Sequence, residues 1–397
     1  MKHAPRIAAL ILLPIAAAFQ ASAWYGGRSV LAIHAEALGG TFESYRSFSA
    51  GLTLATLCGV VLSVPLAGGT GPLPIAALGL AIAAAALAGA GFVGDLGPYQ
   101  VCWLLASFGV GLYRAPLYAA AARWFGRGHE GARVAIFALL IVSVNIAAFL
   151  APLATDLLGS GFGHAAIFPV AGAFALVAAL VLLVPLAVPL LIPADEDDAP
   201  QPVDWRAVGI GVGVAAVAAL GFAASTLGKQ LDPGTYEGIS QLLWSIDPAV
   251  AVGTGVVLAL AAGGAQLAGY RVPALAVAGV GFLALAASIV VGLVVPGAFG
   301  FGLAGALSGF ADVLSFAGAL AFVTGGLHFR VATAPAAIVA AAAGGGMLIA
   351  GPLGQILEET GGAFVAVAMA ALVCAVVGVA LGAASFALEL RGEPEVE

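Results

Sequence analysis

Charged side chains are scarce in this sequence: Asp, Glu, Lys and Arg make up 8% of 397 residues, where a soluble domain carries roughly a quarter. So few charges cannot cover the surface of a chain this long, which excludes a soluble globular protein. Lysine occurs only at Lys2 and Lys229, and no nucleic-acid partner is expected. The three cysteines, Cys58, Cys102 and Cys374, each fall inside an apolar run. There a thiol is a small packing group rather than half a disulfide or a metal ligand. His34 and His164 stand alone, without metal-ligand spacing, so no metal site is expected. No phosphate-cradling glycine loop of the ATPase type is present, which argues against ATP as an energy source. The run Gly344 to Gly346 sits inside an apolar stretch and reads as a packing or flexing site. No constellation of nucleophile, base and acid appears, so neither an enzyme nor a cofactor is expected.

What is abundant is apolar. Hydrophobic residues make up 62% of the chain, mean hydropathy is +1.12 and there are 56 glycines, a composition suited to helices that approach closely in lipid. The net charge of −7 says little about a ligand, because nine of the twenty acids lie in two polar segments. These are Asp195, Glu196, Asp197, Asp198 and Asp204 in a linker, and Glu389, Glu393, Glu395 and Glu397 at the tail. Crossing the hydrocarbon takes about 20 apolar residues. The pattern predicts twelve spans, at 6–35, 45–67, 72–93, 98–125, 132–159, 164–192, 205–228, 247–269, 272–295, 299–327, 333–357 and 362–388. The first begins after Lys2 and Arg6 and runs well past a signal-peptide core, so it reads as a membrane helix.

The longest charged, proline-bearing interruption is 193–204. It divides the chain into an N-terminal six-helix bundle at 1–192 and a C-terminal one at 205–390, with 193–204 as an acidic cytoplasmic linker and 391–397 as a cytoplasmic tail. The expected fold class is an all-α polytopic membrane protein with twelve transmembrane helices in two six-helix pseudo-symmetric bundles. Six plus six is the layout of the major facilitator superfamily, whose halves surround a central cavity. With both termini in the cytoplasm, Lys2, Arg6, Arg123, Arg127, Arg133, Arg206, Arg271, Arg330 and Arg391 fall inside, and only Arg46 and Lys229 outside. That asymmetry satisfies the positive-inside rule. The expected location is a bacterial inner membrane.

Few polar groups interrupt the spans, and ionisable ones at membrane depth mostly face a bundle interior or a wet cavity. Arg28 lies in the first span, Arg114 in the fourth and Asn145 in the fifth. Lys229 closes the seventh, Asp247 opens the eighth and Asp312 sits in the tenth. Arg114 is the costliest: a mid-span arginine carries a penalty of roughly 2.5–3.5 kcal/mol on insertion scales and needs a partner, water or a substrate. Arg114 and Asp312 belong to opposite halves, which suggests a gate, a proton site or a substrate clamp; a structural ion pair is the plain alternative. Arg28 either snorkels to headgroups or offers its planar fork to a carboxylate. Tyr25, Tyr113, Tyr118 and Trp244 are either pocket walls or interface anchors. Pro14, Pro116 and Pro152 fall within spans and predict kinks.

Several segments together resemble the proton-coupled oligopeptide transporter family, a branch of the same superfamily. Tyr25-Gly26-Gly27-Arg28-Ser29-Val30-Leu31 is similar to the Tyr-Gly-x-Arg-x-x-Leu part of its first-helix signature. Gly109-Val110-Gly111-Leu112-Tyr113-Arg114 resembles a Gly-x-Gly-Leu-Phe-Lys run whose lysine faces the peptide. Residues from Ala135-Ile136-Phe137 to Asn145-Ile146-Ala147-Ala148-Phe149-Leu150-Ala151-Pro152-Leu153 are similar to the fifth-helix motif, and Ile246-Asp247-Pro248 to the Ile-Asn-Pro that opens the eighth helix. Asp312, Ser315 and Gly318 resemble a tenth-helix segment in which a glutamate precedes Ser-Pro-x-Gly. Two departures stand out. The family's Glu-x-x-Glu-Arg-Phe is replaced by Ala17 to Ser22, with Gln20 in place of an acid, and the loop at 68–72 lacks the superfamily's Asp-Arg-x-Gly-Arg type motif.

The resemblance implies a secondary active transporter of a small zwitterionic or carboxylate-bearing solute, peptide-like or an organic anion, coupled to protons and working by alternating access. Arg28, Arg114, Tyr25, Tyr113, Asn145 and Asp247 are the substrate-binding candidates, and Asp312, Arg114 and Lys229 the proton-coupling or gating candidates. The partners implied are the solute, protons and the lipid bilayer. The missing first-helix acids leave a second expectation open, a transport-inactive subunit with an assembly role beside a membrane-complex partner.

Overall fold

The computed structural model describes residues 4–125, 128–188, 191, 205–231, 246–295, 297–325, 327, 329–360 and 362–390. Every regular element among them is helical: α1 Ala4–Ser29, α2 Leu31–Ala37, α3 Phe42–Thr70, α4 Pro72–Ala90, α5 Leu96–Arg123, α6 Glu130–Phe162, a short 3-10 turn His164–Ala166, α7 Ile167–Ala187, α8 Trp205–Leu231, α9 Ile246–Leu267, α10 Ala274–Val294, α11 Gly297–Val323, α12 Phe329–Thr360 and α13 Ala363–Leu390. Glycines turn the chain between helices at two of the breaks. Gly71 (φ +92°) and Gly163 (φ +81°) take the left-handed backbone that turns the chain between helices and that side chains with a Cβ resist.

Ten helices among the described residues are long and apolar enough to cross a membrane, so the chain is an integral membrane protein. The sequence pattern predicts twelve. The two expected spans outside the ten are instructive. Helix α5 has 28 residues, ample length, but Tyr99, Gln100, Tyr113, Arg114 and Tyr118 dilute its apolar character. Helix α12 has a shorter apolar stretch, Val331–Gly346. The first expected span, 6–35, is broken in the structure: α1 ends at Ser29, and the short α2 covers Leu31–Ala37. The acidic linker at 193–204 and the tail at 391–397 lie outside the described residues.

The helices gather into two compact units. One comprises Met1–Trp124, Ser143–Trp205 and Leu327–Gly344; the other comprises Phe125–Val142, Arg206–Gly326 and Gly345–Glu397. Two helices therefore pass from one unit to the other along their length, α6 between Val142 and Ser143 and α12 between Gly344 and Gly345. The second crossing falls in the glycine run. Gly344 faces Leu57 and Thr53 of the first unit, to which it belongs. Gly346 belongs to the second, where its Cβ would stand 2.7 Å from the Ala223 carbonyl oxygen of that same unit.

Packing inside the first unit is set by small residues. Helix α5 lies against α3 and α4, and α7 against α1 and α4. A Cβ on Gly79 would stand 2.5 Å from the Gly109 carbonyl oxygen and 2.8 Å from the Tyr113 amide nitrogen, and one on Gly172 would stand 2.7 Å from the Ala84 carbonyl oxygen. Gly59 and Gly111 meet in the same way between α3 and α5. An aromatic cluster is buried in the unit. Trp103 is fully buried, edge-on to Trp24 (5.7 Å) and Phe168 (6.1 Å), and the Tyr99 hydroxyl donates to the Leu31 carbonyl at 3.0 Å.

In the second unit α11 packs on α9 and α10, and α13 on α10. A Cβ on Gly318 would stand 2.5 Å from the Ala278 amide nitrogen, and one on Gly279 would stand 2.8 Å from the Gly378 carbonyl oxygen. All three cysteines are free, and the Cys374 thiol donates to the Gly221 carbonyl at 3.4 Å. Arg133, counted above with the cytoplasmic charges, is a helical residue of α6 and only 6% exposed.

Candidate functional site

The chemistry-bearing residues of the first unit converge on the middle of α5. The pair Gly109 and Gly111 explains why. With no side chain at either position, α5 approaches the backbones of α4 and α3 together, which holds the next turn, Tyr113 and Arg114, in a fixed position. Tyr113 is 2% exposed, and its buried hydroxyl has no hydrogen-bond partner among the described residues. Arg114 is half-buried. Its guanidinium lies close enough to the phenols of Tyr113 and Tyr118 to interact with both electrostatically, and Tyr25 interacts likewise with Tyr118. Tyr25, Tyr113, Arg114 and Tyr118 are therefore one neighbourhood, built from α1 and α5. No ion pair or hydrogen bond to Arg114 is found among the described residues.

Helix α1 supplies Tyr25 through a similar use of glycine. Gly26 faces Thr155 of α6, where a Cβ would stand 3.3 Å from the Thr155 methyl group, and Gly27 faces Trp103 of α5 at 3.2 Å. The Ser29 hydroxyl pairs with that of Thr155 at 2.8 Å and donates to the Gly26 carbonyl at 2.8 Å. Two faces of α1 are thus occupied, leaving Tyr25 half-buried and Arg28 exposed. Arg28 also has no ion pair among the described residues. Asn145 is half-buried on the part of α6 that belongs to this unit and has interactions of its own. A crevice of about 120 Å³ on another side of α1, lined by Ser22, Gly26, Thr155 and apolar groups, includes none of the candidate residues.

The second unit holds the acidic candidates. Asp247, in the first turn of α9, accepts a hydrogen bond from the Ser308 hydroxyl of α11 at 3.1 Å. A Cβ on Gly309 would stand 3.0 Å from the same carboxylate and from the Ala251 amide nitrogen. Asp247 is therefore tied into the α9–α11 packing. Asp312 is half-buried one helical turn beyond Ser308 and has interactions of its own. Just beyond it the Ser315 hydroxyl turns back to the carbonyls of Ala311 (2.8 Å) and Asp312 (3.3 Å). Lys229 falls in the last turn of α8, and its side chain lies outside the described residues, as does Trp244.

The structure thus gathers Tyr25, Tyr113 and Arg114 and adds Tyr118, a tyrosine that the sequence alone leaves undecided between pocket wall and interface anchor. The signal that could have found it is its spacing: Tyr113, Arg114 and Tyr118 fall within six residues of one helix. What the arrangement can do is recognise an anion. It offers a guanidinium with five donors in a planar fork and a phenol donor, in a wall where no carboxylate among the described residues is paired to the cation.

No family model matches the sequence, and no curated protein matches it either. Solved structures do share the fold. One is the Escherichia coli fucose:proton symporter FucP, matched at a TM-score of 0.69 with 16% identity over 95% of this chain and 98% of that one. FucP in an outward conformation gives 0.71 and 15% over 96% and 99%. The human organic anion transporter MFSD10 gives 0.67 and 17% over 95% and 99%. Near-complete coverage of both chains shows that this protein has the fold of major facilitator superfamily transporters.

Proposed function

We propose that the protein is a secondary transporter that moves a small carboxylate-bearing or zwitterionic solute across the membrane by alternating access. In this reading all twelve spans cross, 1–192 and 205–390 are the moving six-helix bundles and both termini are cytoplasmic. The observation that carries it is Arg114: a half-buried cation among tyrosines with no counter-charge among the described residues. An ionised group at that depth is costly unless paired, and a solute carboxylate would supply both the charge and the acceptor that the Tyr113 hydroxyl lacks. The fold shared with a sugar symporter and an organic anion transporter supports a transport role. The Gly-Val-Gly-Leu-Tyr-Arg run, similar to the cation-bearing segment of oligopeptide transporters, supports a peptide-like or organic-anion solute.

Arg28, exposed on α1, is a second cation for the same class of ligand, and Asn145 on α6 a further polar contact for it. Asp312, a half-buried carboxylate in the other sequential half, is the proton-coupling candidate. Asp247, which also accepts a hydrogen bond from Ser308, is a further substrate contact, and Lys229 a gating candidate. The test is substrate-driven proton flux in liposomes, parent against Asp312→Asn. Coupling lost with solute binding retained supports the assignment; unchanged coupling removes Asp312 from the mechanism.

A further inference from the structure

Between α1 and α3 the chain makes a short helix, α2 Leu31–Ala37, to which the transport reading gives no task. Two breaks bound it. Val30 leaves the helical backbone (φ −108°, ψ 1°) and separates α2 from α1. Gly39 takes the left-handed backbone (φ +87°), with nothing within 4 Å of a Cβ placed on it. A helix of seven residues is too short to be stable by itself, so α2 is held by what it packs on.

That support is the aromatic cluster of the first unit. The Tyr99 hydroxyl donates to the Leu31 carbonyl at 3.0 Å, and the His34 ring lies against Tyr99 (5.2 Å) and Phe168 (5.1 Å). The buried His34 Nε2 has no hydrogen-bond partner among the described residues. A neutral imidazole can sit there. An imidazolium would bring a charge and a second N–H donor to a place without an acceptor. His164 stands in the 3-10 turn that α2 also touches, and Gly159 leaves it room, since a Cβ there would stand 3.2 Å from His164 Cδ2.

The titratable groups around the ring are few. Helix α5 presents Tyr99, whose proton is spent on Leu31, and α7 presents the uncharged Phe168. Glu36 on α2 itself, Asp95 before α5 and His164 are exposed. Burial opposes protonation of His34, and the charge of His164 adds to that opposition.

We propose that α2 is a pH-operated clasp on the end of α1: closed on Tyr99 and Phe168 while His34 is neutral, and lifted away about Val30 and Gly39 once His34 is protonated beside His164. The docked ring resists a proton that the undocked ring accepts. Acid therefore favours the open form, by up to about tenfold per pH unit below the ordinary 6.5 and not above it. Trp103 carries the effect towards the candidate site. It packs on Phe168 (6.1 Å) and stands 3.2 Å from a Cβ placed on Gly27, in the turn of α1 between Tyr25 and Arg28. Opening the clasp loosens the seat of that turn. The clasp is independent of the transport reading, because no solute takes part in it.

The test is the mobility of a nitroxide on Ala37→Cys, an exposed position in the last turn of α2. The background lacks the native cysteines (Cys58→Ser, Cys102→Ala, Cys374→Ala), and the protein is labelled once, embedded in nanodiscs and titrated from pH 8 to pH 5. The ratio of mobile to immobile signal should rise roughly tenfold or more in the parent. It should stay flat in His34→Phe, which keeps the ring packing and cannot take the proton. A flat parent curve, or an equal rise in His34→Phe, overturns the clasp. Tyr99→Phe removes the hydroxyl hold on Leu31 without removing the titrating ring, and it decides the matter where a melting curve shows that His34→Phe does not fold. A mobile signal larger than the parent's at each pH then supports the clasp, and a curve identical to the parent's overturns it.

Discussion

Replacing Gly79 by Ala tests whether backbone-level packing of α4 on α5 positions the site. The added Cβ would stand 2.5 Å from the Gly109 carbonyl oxygen, 2.8 Å from the Tyr113 amide nitrogen and 2.9 Å from Leu112 Cβ. Ordinary contact begins at 3.4 Å, so the helices must part by about 0.9 Å, the difference between 3.4 and 2.5. Two of the three atoms are backbone, and no rotamer change relieves them. Overpacking of this kind costs about 1–3 kcal/mol, against a gain of about 1 kcal/mol for Ala over Gly in a helix. The net expectation is a loss of up to about 2 kcal/mol. Because the displaced atoms include the Tyr113 amide, Arg114 moves with them, and solute affinity should fall by about tenfold or more. The control is Gly213→Ala on α8, where nothing lies within 4 Å of the new methyl group; it should gain up to about 1 kcal/mol by propensity alone. Melting curves of purified protein in one detergent compare the two. Equal melting temperatures for Gly79→Ala and Gly213→Ala would refute the packing argument.

Other outcomes follow from single contacts. His34 lies on α2, after the first membrane helix. Burial, with a smaller contribution from His164, holds its pKa below the ordinary 6.5. Its Nε2 has no hydrogen-bond partner among the described residues, and its ring packs on Tyr99 (5.2 Å) and Phe168 (5.1 Å). The unfolded chain therefore takes up this proton first, so the contribution to stability is complete above pH 6.5 and is lost as pH falls below it. His34→Phe should flatten that part of the melting-temperature profile between pH 8 and 5, and an unchanged slope would count against it. Ser308→Ala removes the donor to Asp247 and should cost about 0.5–1.5 kcal/mol, read from thermal melts. Trp103→Ala empties the centre of the aromatic cluster and should cost about 3–5 kcal/mol, enough to lower the yield of monodisperse protein.

Much of the architecture is legible in the sequence because membrane helices are written in length and apolarity. The gaps between the expected spans at 68–71 and 160–163 contain Gly71 and Gly163, where the chain turns. The position of Arg114 is legible too, since a charge in an apolar run demands attention. The function of Gly109 and Gly111 is only half legible: they read as family motif, and the structure makes them the surface on which two helices close. Arg133 shows why the rest is hidden. Its acceptor Ala321 lies 188 residues away, and no local pattern announces a helix end that distant. Composition scores Arg133 as one more cytoplasmic charge, whereas the fold buries it. Asp247 likewise gives no local sign of its donor Ser308, 61 residues further on.

The central claim is that Arg114 binds a solute carboxylate, and ligand-induced thermal shift tests it most directly. Purified parent protein, Arg114→Gln and Arg114→Lys would be screened against dipeptides, mono- and dicarboxylates and sugars, each acid paired with its neutral amide. A charge-assisted hydrogen bond contributes about 1.5–3 kcal/mol, roughly a ten- to hundredfold change in affinity. The account predicts at least one carboxylate that stabilises the parent while its amide does not. That shift should weaken in Arg114→Lys, which keeps the charge but loses the fork, and vanish in Arg114→Gln. A solute that binds parent and Arg114→Gln equally, or an amide that binds as well as its acid, would contradict it.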